Sequence, residues 1–149
     1  MNRILNITNT LDTGAADNWL VRVCELAAAK NPDWQWTFYC TYGRPGRLDD
    51  RARKFGAKVV QSPHPLDHKR AFFSSLRTFL KSSPHDILHS QHDFLSAVYL
   101  WAAFGLPFRK RIVHIHNTDE GVPTSSRWKQ FILREPMRQT CLQIGRAHV

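Results

Sequence analysis

Apolar residues recur along the chain in short runs separated by helical patterns, and the alternation is regular. Arg3 to Thr8, RILNIT, is an apolar run that predicts a buried strand. The polar loop Asn9 to Asn18 follows, with Thr13 or Asp17 as candidate caps for a helix starting near Ala15 and running to Lys30. Leu20, Val23, Cys24 and Ala27 fall on one face of that helix by spacing. Asn31-Pro32-Asp33 ends it. Trp34 to Thr41 alternates and is rich in aromatics, which predicts strand two. Arg47 to Phe55 reads as a short helix stopped by Gly56, and Ala57 to Gln61 as strand three. Lys69 to Ser82 is a helix burying Phe72, Phe73, Leu76, Phe79 and Leu80. Asp86 to His89 is strand four, Phe94 to Phe104 a helix, and Arg111 to Ile115 strand five. Ser126 to Leu142 closes the pattern as a helix anchored by Trp128, Phe131 and Ile132.

Strand and helix alternate throughout, and that alternation predicts an α/β fold: a Rossmann-like, doubly wound parallel sheet with helices on both faces. In such sheets ligands bind beyond the carboxyl ends of the strands. His89, Gln91, His92 and Asp93 after strand four are therefore expected to face the same crevice as His116, Asn117 and Thr118 after strand five.

Length and composition agree with one folded domain. The chain has 149 residues, 42% of them apolar, too many for a disordered segment. The formal charge of +9 favours anionic partners such as phosphorylated substrates or a membrane surface. No recognised motif accompanies it, so nucleic acid is not expected as a partner. Cys24, Cys40 and Cys141 have neither disulfide-type nor metal-type spacing and read as reduced thiols, two of them core. No signal peptide is visible and no apolar stretch approaches the roughly 20 residues that span a bilayer. A cytoplasmic protein is expected, with peripheral contact at the inner membrane face open to it. Arg44, Arg47, Lys69 and Arg70 flank loops on the predicted ligand side, either as phosphate or membrane contacts or as solvated surface charge.

The candidate chemistry sits in the loops. Gly14 either makes a turn or lets the backbone approach an anion at the helix N-terminus. Neither GxGxxG nor GxxxxGK[ST] occurs, so an ordinary dinucleotide or nucleoside triphosphate site is not expected. His114 reads as a core histidine. His116, at the strand end, has the proton affinity of a hydrogen-bond partner or general base. His89, His92 and Asp93 line a substrate cleft on one reading, with Asp93 a helix cap on another. A metal site from these histidines has no spacing to support it.

The residues SPHDILHSQHDFLSAVYLWAAFGLPFRKRIVHIHNTDE, with the strand, glycine loop and helix at the start, resemble the N-terminal domain of the retaining GT-B glycosyltransferases of family 4. The resemblance covers roughly Arg3 to Leu142. It implies a two-domain enzyme that moves a sugar from a nucleotide-sugar donor to a sugar, lipid or small-molecule acceptor, without a metal or other cofactor. It also implies site residues. Gly14 matches the glycine loop near the donor phosphates, His116 the strand-five histidine beside the reacting sugar, and His92 and Asp93 the loop after strand four. Together with His89 and Asn117 these are the expected substrate contacts, His116 being catalytic. Thr13-Gly14-Ala15-Ala16-Asp17 departs from the family's pair of glycines, and Asp17 stands near its acidic position.

Ile144 to Val149 reads as one frame of a common sequencing adapter, with Gln143 at the junction. On that reading native sequence runs to about Leu142, and a C-terminal donor domain follows it in the parent protein. A stand-alone Rossmann-like binding module is the alternative, and a His-rich metal hydrolase a third reading.

Overall fold

The computed structural model describes residues 2–115 and 135–142. Its strands are β1 (Arg3–Thr8), β2 (Gln35–Cys40), β3 (Lys58–Gln61), β4 (Ile87–Ser90) and β5 (Lys110–Val113). Its helices are α1 (Ala15–Lys30), α2 (Asp49–Lys54), α3 (Lys69–Ser82) and α4 (Ser96–Ala102), with a further helix over 135–142. The strands form one parallel sheet in the order β3-β2-β1-β4-β5. This is a Rossmann-like α/β fold, as the alternation predicts.

β1 lies at the centre, paired with β2 from Arg3 to Thr8 and with β4 from Ile4 to Ile7. Alternate side chains of a strand point to opposite faces, so β1 serves two cores. Leu5 and Ile7, both fully buried, join Phe72, Leu76 and Leu80 of α3, the α4 residues Tyr99 and Leu100, and Met137 and Cys141. Ile4 packs on the other face with Leu20, Val21 and Cys24 of α1 and with Trp36 and Phe38 of β2. Each fully buried aliphatic side chain contributes about 1.5–3 kcal/mol through removal from water. A strand covered on both faces must be apolar nearly throughout, which is why RILNIT is legible as a strand.

Several boundaries differ from the sequence pattern. α1 starts from Gly14, and neither Thr13 nor Asp17 caps it with a side chain. Val23 is 40% exposed, while Val21 takes its place in the core. Trp19, Val23 and Leu26 thus form a second apolar stripe on the outer side of α1. The expected helix from Phe94 is a 3₁₀ turn over Asp93–Leu95 followed by α4, which ends at Ala102. All three cysteines are buried. Burial pushes the Cys24 and Cys40 thiols up to about 12 and Cys141 to about 11, so none is a ready nucleophile. Trp128, Phe131 and Ile132 lie outside the described residues. Among those described, no helix is long and apolar enough to cross a membrane.

At the amino ends of β1 and β4, Asp86 accepts from the Arg3 backbone N–H at 2.8 Å and from Nε and Nη2 of its guanidinium at 3.2 and 3.1 Å. These bonds hold the Asp86 carboxyl down at about 2. Its folded pKa lies below the unfolded value near 3.9. The bridge therefore stabilises fully above pH 4, and its contribution is lost as pH falls through about 2. Asp86→Asn should abolish this part of the acid sensitivity. Urea midpoints of variant and parent should converge on acidification from pH 5 to pH 2; a constant gap would refute the assignment.

Candidate functional site

A chain leaving β1 turns toward β2 on one side, while β4 sits on the other, so the carboxyl ends of β1 and β4 diverge. That switch point is where an open α/β sheet leaves a crevice. Here it holds a cleft of about 190 Å³. Thr8 and Asn9 line it from the end of β1, Ala16, Asp17 and Leu20 from the first turns of α1, and Gln91 and His92 from the segment after β4.

α1 begins beside the cleft. Gly14 is extended there, and the Asn18 backbone N–H bonds its carbonyl at 3.0 Å. The Asn18 side chain also donates to the carbonyls of Thr13 and Gly14. With no side-chain cap, the first-turn N–H groups and the positive end of the helix dipole favour an anion. Asp17 stands in that first turn, 3.4 Å from the Thr8 hydroxyl that donates to it. Burial raises its pKa, partly offset by hydrogen bonds. A Cβ on Gly14 would meet Asp17 Oδ2 at 3.2 Å, so the absence of a side chain at position 14 leaves room for this carboxyl.

His92 is the most perturbed group in the cleft. Its Nδ1 is 2.5 Å from the Tyr99 hydroxyl, and its Nε2 is buried with no hydrogen-bond partner among the described residues. Burial lowers its pKa to about 4, against a small opposing pull from Asp93, so the ring is neutral near pH 7. The unfolded ring, with a pKa near 6.5, binds the proton more readily. Stability is therefore complete above about pH 6.5 and declines as pH falls toward about 4. One such group gives at most about 1.4 kcal/mol per pH unit. His85 is also held low by burial and acts in the same direction, so a variant must separate the two. His92→Gln should flatten the decline between pH 6.5 and pH 4 in chemical denaturation. Parallel curves for variant and parent would show that His92 is not its source.

The other expected residues divide between the sheet and the loops. β4 runs on to Ser90, so His89 lies within the sheet opposite Asn6 and Ile112. Its Nδ1 is 2.9 Å from Asn6 Oδ1, and the Gln91 amide reaches its Nε2 at 2.9 Å. Gln91 thus ties the cleft to a polar pair under α1. His114 is half-buried rather than core, and its ring stands 5.8 Å from that of His89 and 5.5 Å from that of Trp19. Asp93 is buried at φ 42°, a left-handed conformation that aspartate tolerates better than most residues. It opens the 3₁₀ turn that aims His92. His116 and Asn117 lie outside the described residues, as do residues 143–149. Among the described residues no group of three or more His, Cys, Asp or Glu is arranged to hold a metal ion.

Sequence reasoning missed Asn6 and Tyr99. A polar residue in the middle of RILNIT was the signal for Asn6. It is wholly buried, and a buried amide implies a partner.

The loop after β2 braces the cleft from the side. Leu48 N–H bonds the Leu11 carbonyl at 2.8 Å, and Arg44 pairs with Asp12 at 3.3 Å. Gly43 is at φ 66° and Gly46 packs directly on the Leu11 backbone.

No family model matches the chain. A capsular polysaccharide biosynthesis glycosyltransferase of Staphylococcus aureus, CapH, is 25% identical over 121 residues. The alignment takes in 80% of this chain and 32% of the relative. The chain is a distant homologue of a glycosyltransferase. It spans about a third of the length of the relative it matches. Two solved structures of the binary complex of leucoanthocyanidin reductase with NADPH from Vitis vinifera superpose with TM-scores of 0.55 and 0.58 at 14% identity. They cover 96% of this chain and 44% and 46% of theirs. At that identity the likeness shows the Rossmann-like fold and nothing finer.

Proposed function

We propose that the chain is the N-terminal, acceptor-side domain of a retaining GT-B glycosyltransferase of family 4. The parent enzyme moves a sugar from a nucleotide-sugar donor to a sugar, lipid or small-molecule acceptor. The observation that supports this most is the alignment with the capsular polysaccharide glycosyltransferase along 80% of the chain, which runs across a sheet whose switch point carries a polar cleft. In this reading the uncapped N-terminus of α1, at Gly14, faces the donor diphosphate and stabilises its charge as it leaves. His89, His92, Asp93 and Asn117 hold the acceptor side, and His116 stands by the reacting sugar. Rate enhancement comes from positioning and electrostatics, with no metal. The donor-binding domain follows Leu142 in the parent, residues 143–149 being adapter-derived, and the enzyme works in the cytoplasm or at the inner face of the membrane.

The test begins with the source locus. Reading it beyond the codon for Leu142 is expected to reveal a second α/β domain, and the whole protein should turn over one member of a nucleotide-sugar panel. A frame that stops within a few codons, or a whole protein inert toward every donor, would overturn the proposal. The first outcome would leave a stand-alone binding module. The reductase likeness favours no second reading, because the loop from Asn9 to Asn18 has one glycine. Dinucleotide sites of this fold use a glycine-rich turn there.

A further inference from the structure

The cleft lies at the carboxyl ends of the strands, and the amino ends carry a different surface. A crossover helix runs back along the sheet, so α4 ends near the amino end of β5. The turn between them sits there: the Arg109 and Lys110 backbone N–H groups bond the Asp86 carbonyl, just before β4, at 2.8 and 3.2 Å. Trp101 is 43% exposed and Phe104 79%. The Phe104 N–H bonds the Trp101 carbonyl at 3.1 Å, which sets the two residues one tight turn apart. Pro107, also exposed, continues the apolar tip. Phe104 is the most exposed large apolar side chain among the described residues.

Cations surround this tip. Arg77 of α3 donates to the carbonyls of Ala102 at 2.6 Å and Phe104 at 3.0 Å. Arg111 donates to those of Leu106 at 2.9 Å and Phe108 at 3.4 Å. The two guanidiniums fix the turn by its own backbone and keep their charge beside the aromatic pair. Lys81, one helical turn beyond Arg77, is exposed, as are Arg109 and Lys110. Among the described residues no ion pair engages any of these five, and Asp86 is paired with Arg3. No Asp or Glu occurs between Asp93 and Asp119. The turn therefore presents an apolar tip inside a field of one sign.

This combination selects the partner. Single-stranded nucleic acid is held by cations along a groove that tracks its backbone, whereas here they ring a protrusion. An anionic bilayer meets both features. Its headgroups attract the cations, its interface suits tryptophan, and its acyl boundary takes the phenylalanine ring. We propose that the turn after α4 is a docking surface for an anionic lipid bilayer, with Phe104 inserted and the surrounding lysines and arginines on the headgroups. The proposal goes beyond the sugar-transfer reading and stands without it. Docked this way, the cleft opens away from the lipid by about the length of β1, six residues or roughly 20 Å, so soluble ligands reach it from water.

The test uses the 149-residue chain and vesicles of phosphatidylglycerol and phosphatidylcholine in equal parts. The chain should co-sediment with these at low salt, less at high salt, and not with phosphatidylcholine alone. Lys110→Gln should weaken binding about fivefold and Phe104→Ser about tenfold. Both side chains are exposed, so neither change threatens the fold. Brominated acyl chains should quench tryptophan fluorescence, and Trp101→Phe should remove that quenching although the other tryptophans remain. Lys54→Gln, in α2 beside the opposite sheet edge, should bind as the parent does. No binding to the anionic vesicles overturns the proposal. So does equal weakening by Lys54→Gln and Lys110→Gln, which would mean attraction by net charge alone, or binding that Phe104→Ser leaves intact. Polyuridylate binding that Phe104→Ser abolishes, with no vesicle binding, would overturn it in favour of nucleic acid.

Discussion

Gly46→Ala should lower the thermal unfolding midpoint by roughly 6–12 °C, taking about 3 kcal/mol and 2–4 °C per kcal/mol for a chain of this size. A Cβ at position 46 would sit 2.3 Å from the Leu11 carbonyl oxygen, 2.6 Å from its carbon and 2.8 Å from its nitrogen. All three are main-chain atoms of a residue that is itself wholly buried, so no side chain can swing aside. The loop after β2 must lift off the loop after β1, and the 2.8 Å bond from Leu48 N–H to Leu11 breaks with it. Gly56 supplies the control. It has φ +88° but open space around its Cβ position, so Gly56→Ala costs only the left-handed backbone, about 1–2 kcal/mol. The two variants separate in amide spectra as well as in melting. Gly46→Ala should move the signals of Thr8, Asn9 and Leu11, whereas Gly56→Ala should leave them in place. A Gly46→Ala protein that melts with the parent would contradict the packing of these two loops.

Phe72→Ala should be as severe, at about 3–5 kcal/mol, the usual cost of emptying an aromatic site in a core. Phe72 is buried in α3, and its ring meets that of Tyr99 edge-on at 6.1 Å. Its loss removes the wall behind the residue that holds His92. Two readings should therefore change together: a midpoint lowered by roughly 6–20 °C, and a weaker decline in stability between pH 6.5 and pH 4 as His92 gains water. Phe79→Ala is the comparison. Phe79 is only partly buried and stacks on Tyr39 and His85, so it should destabilise less and leave the His92 dependence intact. Equal pH profiles for Phe72→Ala and the parent would show that the two aromatic rings do not act through one another.

Strand and helix order were legible because β1 and β2 are buried on both faces and so are nearly continuous apolar runs. The same alternation predicts a parallel sheet with helices on both faces, while its order β3-β2-β1-β4-β5 comes from the structure. The phase of α1 was not legible, because the helix carries two apolar stripes: Leu20, Val21 and Cys24 face the sheet, while Trp19, Val23 and Leu26 face outward. Periodicity alone cannot say which stripe meets the core. The placement of His89 was missed by one residue. The strand continues to Ser90, where the Ser90 hydroxyl, one residue past the expected strand end, is satisfied by that of Ser96 at 2.7 Å. His92 was visible as a polar residue after a strand. Its partner Tyr99 was not, because seven positions of chain separate them and only the 3₁₀ turn at Asp93 brings them into contact.

The central position of β1 has a consequence for synthesis. Of the five described strands β1 is made first, and β2 can pair with it early, but its other edge waits for β4. Cys40 ends β2 and Ile87 opens β4. At about 5–20 residues per second, the chain between them takes roughly 2–10 s to emerge. For that time the strand at the centre of the sheet stands with one row of amides and carbonyls unmatched, in a nascent chain that other polypeptides can reach. The vulnerable stage of this protein's life is thus set by strand order, and slowing translation between Thr41 and Asp86 should raise the share of chains lost to aggregation.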